Sequence, residues 1–325
     1  MSAVAFDGYT KALASGQVSV EMPKAVNKKW AASVLNLEES FITREGIASG
    51  MALIFAAEGI RTYVLKGFVV SECYPAPHHR VSVDMDCFLV PASGDGSDVW
   101  EKGNMLMEKN GFGVSRGFYK NSTFMLPGLT VENHKFLTPF RGNKRLERLE
   151  MLLQRMLRSD SGSDKIDGAE LYRPPVMVSA LFLVEHAFSH FLHEGLTLRH
   201  ILDWVMFSRR HAADLDWPQF DAFVDEFGFR RFYDAYVHVG EYVMGDRPYD
   251  SLTPSEQRMM DFIWEGLDLH DTVKGVRGKL NLVGNTLRAG WKYRLFSPIS
   301  MMRALWIQVK GVVFLRRPNG LQQHS

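Results

Sequence analysis

Two acids spaced two residues apart, Asp84 and Asp86, stand in the apolar run Val83-Asp84-Met85-Asp86-Cys87-Phe88-Leu89-Val90. The run is expected to form a β-strand. Side chains alternate faces along a strand, so both carboxylates point the same way. Neighbouring carboxylates repel, which raises the proton affinity of one unless a cation lies between them. Mg²⁺ is such a cation, since it prefers hard oxygen ligands and keeps waters and substrate phosphates in its other positions. A strand-borne Asp-x-Asp opening on a cleft therefore suits metal-assisted phosphoryl chemistry. The same pattern also ends ordinary solvated strands.

Upstream, Tyr63-Val64-Leu65-Lys66-Gly67 reads as a short buried strand ending in Lys-Gly, followed by a helix within Phe68 to Tyr74. Pro75 and Pro77 then break the chain before it returns as the acidic strand. Glycine at a strand-to-helix turn lets a phosphate approach backbone N–H groups, where the helix dipole favours an anion. Lys66 and Gly67 would approach a triphosphate there, Lys66 as a mobile point charge. Arg80 is a second phosphate candidate, with pairing to an acid as its structural alternative.

The order Leu65-Lys66-Gly67, Tyr74, Arg80, Asp84-x-Asp86 and an apolar run resembles the uncharacterised nucleotidyltransferase family of the DNA polymerase β-like superfamily. Val131-Glu132-Asn133-His134 also matches, as does His186-x-x-x-His190-Phe191 leading to Leu198-Arg199-His200-Ile201-Leu202-Asp203. The resemblance spans roughly residues 30–210. It implies transfer of a nucleoside monophosphate from a Mg²⁺- or Mn²⁺-bound NTP to an acceptor, with release of pyrophosphate. It also implies that Glu132, on a strand beside the aspartates, completes a three-carboxylate metal site with Asp84 and Asp86. His134, two residues on and so on the same face, could contact substrate or orient a carboxylate. One departure stands out: the superfamily places Gly-Ser or Gly-Gly before its acidic strand, whereas here Phe68 follows Gly67 and the gap to Asp84 is longer. That change motivates a second reading, a non-catalytic member that binds a nucleotide or a partner protein as a regulator.

The whole chain bounds these readings. Its 325 residues can bury a real core in one large or two ordinary domains. A net charge of +1 provides no field for a polyanion, so extensive nucleic-acid binding is not expected. Only Cys73 and Cys87 are present, without metal-ligand spacing, which fits a reducing compartment and a cytoplasmic location. The N-terminus lacks the basic start and apolar core of a secretory signal. No run of about 18 uncharged apolar residues stands out, so a membrane-spanning helix is not expected.

The elements that must hold the site follow from periodicity. Residues 1–22, of mixed polarity, read as a partly ordered lead-in. A helix runs from Pro23 to Ala57, closed by Glu58-Gly59, and a second over Val99–Lys109 begins at an Asp98 cap. Three short strands, Val114–Phe118, Ser122–Leu126 and Leu129–Leu137, come next. Arg141 to Arg158 is an amphipathic helix whose arginines are by default solvated, with a triphosphate contact as the minority reading. Residues 159–168 are a polar loop, followed by helices from Pro174 onward: Val176–His193, Leu198–Ser208, Trp217–Phe227, Phe229–Met244 and Pro254–Leu269.

His186, His190 and His193 share one face of the Val176–His193 helix. They are expected to face a cleft where one of them, such as His190, binds base, sugar or acceptor; a histidine-metal hydrolase is the weaker alternative. The basic stretch Lys274 to Arg317 includes the apolar Met301–Leu315, where an interfacial helix would allow peripheral membrane contact. The expected fold class is thus α+β: a small mixed nucleotidyltransferase-like sheet with flanking helices over 1–160, then a mostly α-helical domain over 161–325.

Overall fold

Apolar residues of the first long helix recur on one side, at Phe41, Ala48, Met51, Ala52 and Phe55, and all are buried. In the computed structural model this helix, α2, runs Lys24–Ala57, with Pro23 at its N-cap. The structure describes all residues except 1, 20, 21, 83, 94–98, 117, 118, 141, 162, 163, 167, 194, 269–289 and 307–325. Before α2 lies α1, Ser2–Ala14, and after it come β1, Ile60–Val64, and the single turn α3, Phe68–Ser71. A 3₁₀ turn at Pro77–His79 leads into β2, Asp84–Pro91, then α4, Val99–Lys109. The strands β3 (Gly113–Ser115), β4 (Asn121–Leu126) and β5 (Leu129–His134) follow. Beyond them are α5 (Lys144–Ser159), β6 (Leu171–Tyr172), α6 (Val176–His193), α7 (Leu198–Arg210), α8 (Trp217–Glu226), α9 (Arg230–Met244), α10 (Pro254–Asp268) and a short helix, Gly290–Phe296.

The strands form one six-stranded mixed sheet in the order β3-β4-β5-β2-β1-β6. β2 and β5 pair in parallel at its centre, while β1–β2, β4–β5 and β3–β4 are antiparallel. Strand alternation then divides the work of the sheet. Met85, Cys87 and Leu89 of β2, Val131 of β5 and Phe124 of β4 join the buried cluster with α2 and with Val99 and Met107 of α4. Asp84, Asp86, Glu132 and His134 alternate with those core residues and therefore project from the opposite face. Gly103 lets α4 come close to the sheet, since a Cβ there would lie 2.3 Å from Leu89 Cδ1.

The chain divides into two compact units, one of residues 1–137, 153–179 and 206–212, the other of 138–152, 180–205 and 213–325. The sheet lies in the first. The second is packed by aromatic rings: Trp204 stacks on Phe220 at 5.5 Å, and Phe191 meets Trp291 and Phe296 edge-on at 5.7 and 5.3 Å. By length and composition α6 could cross a membrane, but it carries Glu185 and 72% of it is buried inside the protein, as in a core helix. Along α5 the leucines 149, 153 and 157 are buried and Arg148 pairs with Glu226 at 3.4 Å, the amphipathic arrangement expected by default.

One local expectation is corrected, and one element is added. Residues 2–14 form a helix rather than a loose lead-in, because Phe6 and Tyr9 pack on Trp30 at 5.3 and 6.2 Å and Ala3 is buried. The stretch after α5 contributes the edge strand β6, paired in parallel with β1. The proposed cap Asp98, the residues Phe118 and Leu269, and most of the basic stretch with its interfacial helix lie outside the described residues.

His79 ties α1 to α2. Its Nδ1 lies 2.6 Å from Asp7 Oδ2 and its Nε2 2.7 Å from Glu38 Oε1. Burial works to lower its pKa, but the hydrogen bonds that the ring donates to Asp7 and Glu38, and the charges of those carboxylates, outweigh it, and the net shift is upward from 6.5. A raised folded pKa means the stabilisation is complete below the unfolded value and is lost as pH rises through the folded one. Amide protection of residues 2–14 should therefore fall between about pH 6 and about pH 9 by more than intrinsic exchange accounts for. Unchanged protection factors would show that His79 does not hold α1.

Candidate active site

Register builds the site. Because β2 and β5 run in parallel, Asp86 stands opposite Glu132 and Phe88 opposite His134. Paired residues share a face, so the second aspartate and the glutamate lie side by side. β4 runs antiparallel on the far side of β5, placing Asn121 opposite His134. Its Nδ2 donates to Glu132 Oε2 at 2.7 Å and fixes that carboxylate.

The distances are short. His134 Nε2 is 2.9 Å from Asp86 Oδ1 and 3.6 Å from Glu132 Oε2. Lys66 Nζ, arriving from the end of β1, is 3.8 Å from Asp86 Oδ2. Asp86, His134 and Lys66 are buried, while the Glu132 side chain is 36% exposed and opens the cluster to solvent. One donor atom from each of Asp86, Glu132 and His134 falls within a common 4.8 Å. Two carboxylates and an imidazole at such spacing are a donor set that fits a divalent ion.

Charge in this cluster is held at a cost. Burial, then the neighbouring Asp86 charge, raises the Glu132 carboxyl above its usual range; His134 opposes this and Asp84 adds to it. Asp84 therefore acts on Glu132 electrostatically although it stands outside the three-residue group. On the core face, burial and then the charges of Asp86 and Glu132 push the Cys87 thiol up, which keeps it protonated and inert. A carboxylate whose folded pKa is raised destabilises the fold as pH rises through its ordinary unfolded value, and the loss is complete once pH exceeds the folded one. Glu132→Gln should accordingly raise the melting temperature by about 1–3 °C at neutral pH, solvent screening keeping the gain small. The same change should weaken divalent-ion binding, and calorimetry beside the melt would expose a variant that does neither.

The turn before α3 is also formed. Gly67 adopts φ 87° and ψ −113°, a conformation suited to glycine. Its carbonyl accepts hydrogen bonds from Arg80 Nη1 at 3.2 Å and Ser71 Oγ at 2.9 Å. Arg80 is thus buried behind the turn and shapes it. Phe68 packs edge-on against Phe41 at 5.3 Å, so the position that follows the glycine serves the core.

His190 lies in the second unit, beside His186 and His200. Ring centroids are 4.4 Å apart for His186–His190 and 4.9 Å for His190–His200. His193 is not part of this group: its Nδ1 bonds back to Ser189 O at 2.8 Å, and His200 from α7 takes the third place. His200 Nδ1 accepts the Thr197 N–H at 3.2 Å, as a helix cap would. In a neutral ring that leaves the proton on Nε2, and a protonated nitrogen does not ligate a metal.

A family model described as "Uncharacterised nucleotidyltransferase" matches residues 10–245. The chain belongs to this family. No curated protein and no solved structure matches it. Nucleotidyltransferase membership agrees with the mixed sheet and the helical region, and it supports a transferase that moves a nucleotidyl group. In this nucleotidyltransferase the cluster of Asp86, Glu132 and His134 lies on the face of the central strand pair opposite the buried cluster of Met85, Cys87 and Val131, with only Glu132 partly exposed. The residue missed in the sequence is Asn121. Its only signal is a polar position at the start of β4, which means nothing until β4 is known to lie beside β5.

Proposed function

We propose that the protein transfers a nucleoside monophosphate from a divalent-metal NTP complex, such as Mg²⁺– or Mn²⁺–ATP, to an acceptor hydroxyl. The observation that carries this reading is the pairing of Asp86 with Glu132 on adjacent central strands, with Lys66 3.8 Å from Asp86. In the step itself the acceptor oxygen bonds to the α-phosphorus, the α–β bridging bond breaks, and pyrophosphate leaves. A bound divalent ion would lower the pKa of the acceptor hydroxyl and offset charge on attacking and leaving oxygens. Asp84, Asp86 and Glu132 would hold it. Glu132, set by Asn121 and already of raised proton affinity, would accept the hydroxyl proton. Lys66 and the Gly67 turn would face the triphosphate. The cytoplasm, where Cys73 and Cys87 stay reduced, is the proposed location.

The acceptor belongs to the same proposal as a small molecule or protein side chain. Label transfer from an α-labelled NTP, read together with pyrophosphate release over sugar, aminoglycoside, peptide and protein acceptors, tests it. Release that depends on both metal and acceptor is the expected result. Phe68 packed on Phe41 favours one competing reading, a regulator that binds nucleotide without turnover. Tight NTP binding by calorimetry with no pyrophosphate from any acceptor would replace the first reading by the second.

A further inference from the structure

The hydrogen-bond pattern around His134 carries one step further. Its Nδ1 lies 3.2 Å from the Phe136 carbonyl oxygen, and a carbonyl can only accept, so Nδ1 carries a proton. Nε2 then faces Asp86 Oδ1 at 2.9 Å and Glu132 Oε2 at 3.6 Å, both acceptors when ionised. These three donor atoms lie within 4.8 Å of one another, so that a single cation among them would meet all three. Ligands at about 2.1 Å from one ion stand about 3–3.5 Å from each other, close to the separations found.

We propose that His134 Nε2 is a direct ligand of the divalent ion held by Asp86 and Glu132. The ring is already oriented for this, since Nδ1–H bonded to a backbone carbonyl fixes the tautomer that presents Nε2, a common support for a metal-bound histidine. A nitrogen donor among carboxylates shifts preference away from Mg²⁺ and toward Mn²⁺, Fe²⁺, Co²⁺ or Zn²⁺. The inference rests on the carboxylate metal site of the proposed function, but it concerns which atom completes that site and which ion the site selects.

Pulsed electron paramagnetic resonance of Mn²⁺ bound to the full-length protein tests it. Directly ligated ¹⁴N modulates the Mn²⁺ echo, whereas oxygen ligands do not. The expected result is ¹⁴N modulation in the wild type that survives excess Mg²⁺, vanishes in His134→Ala and in His134→Gln, and persists in His186→Ala. The two substitutions at 134 guard against one that fails to fold, and circular dichroism identifies it. Mn²⁺ bound without ¹⁴N modulation would overturn this inference and leave the carboxylate site standing. Modulation that disappears in His186→Ala would move the nitrogen to the other histidine cluster and overturn it as well. No Mn²⁺ binding, with or without NTP, would remove both this inference and the metal-dependent reading beneath it.

Discussion

Asp86→Asn should abolish metal-dependent pyrophosphate release, lowering turnover by about 10³-fold or more, which is about 4 kcal/mol of transition-state stabilisation. The size follows from position. Asp86 contacts Lys66 on one oxygen and His134 on the other while standing opposite Glu132. An amide there keeps the shape but offers one neutral oxygen to the ion. Stability should move far less than rate, because two effects oppose. Loss of the charge removes the Asp86 carboxylate from beside buried Lys66, and it also relieves the repulsion that raises Glu132. Asp84→Asn should lower turnover as well, through the ion that meets the phosphates. Near-normal turnover by either purified variant, with its melting curve intact, would sink the catalytic assignment.

Gly67→Ala should destabilise the first unit by about 1–3 kcal/mol, the strain of a side chain in a conformation that glycine alone adopts freely. A Cβ there would lie 3.4 Å from Ser82 Oγ and 3.5 Å from the Asp84 carbonyl, so space is only just adequate and φ 87° decides the cost. For a domain of this size the melting temperature should drop about 2–4 °C per kcal/mol. Activity should fall with it, because the residue joins Lys66 to α3 and its carbonyl receives Arg80. An alanine variant that melts with the wild type would show that the turn relaxes and that glycine is not required there.

Much of this arrangement could be read from the chain because it depends on local pattern. Alternating apolar and acidic residues announced β2 and the face on which Asp84 and Asp86 lie, and three- and four-residue spacings announced α2, α6 and α9. Gly67 marked a turn with positive φ. Features that depend on distant partners were not legible. Nothing in residues 2–14 signals that Trp30 will stack on them, or that Asp7 will meet His79. Leu171–Tyr172 is too short to show strand periodicity, and only β1 makes it an edge strand. His193 shares its helix face with His186 and His190, yet its ring bonds Ser189 O on its own helix and Tyr293 on another, while His200 comes in to complete the group. Asn121 and the orientation of His134 likewise follow from strand order, which periodicity leaves open.

The parallel pairing of β2 with β5 makes correct folding and chemistry a single event. A shift of one residue between these strands would put Val131 or Asn133 opposite Asp86 and turn Glu132 toward α2 and α4. Such a misaligned chain would bury an acid in its core and put a valine or an asparagine where the site needs a carboxylate. Aberrant copies would thus tend to unfold rather than persist as inactive look-alikes, so the soluble fraction of any preparation should be close to uniformly competent for metal binding.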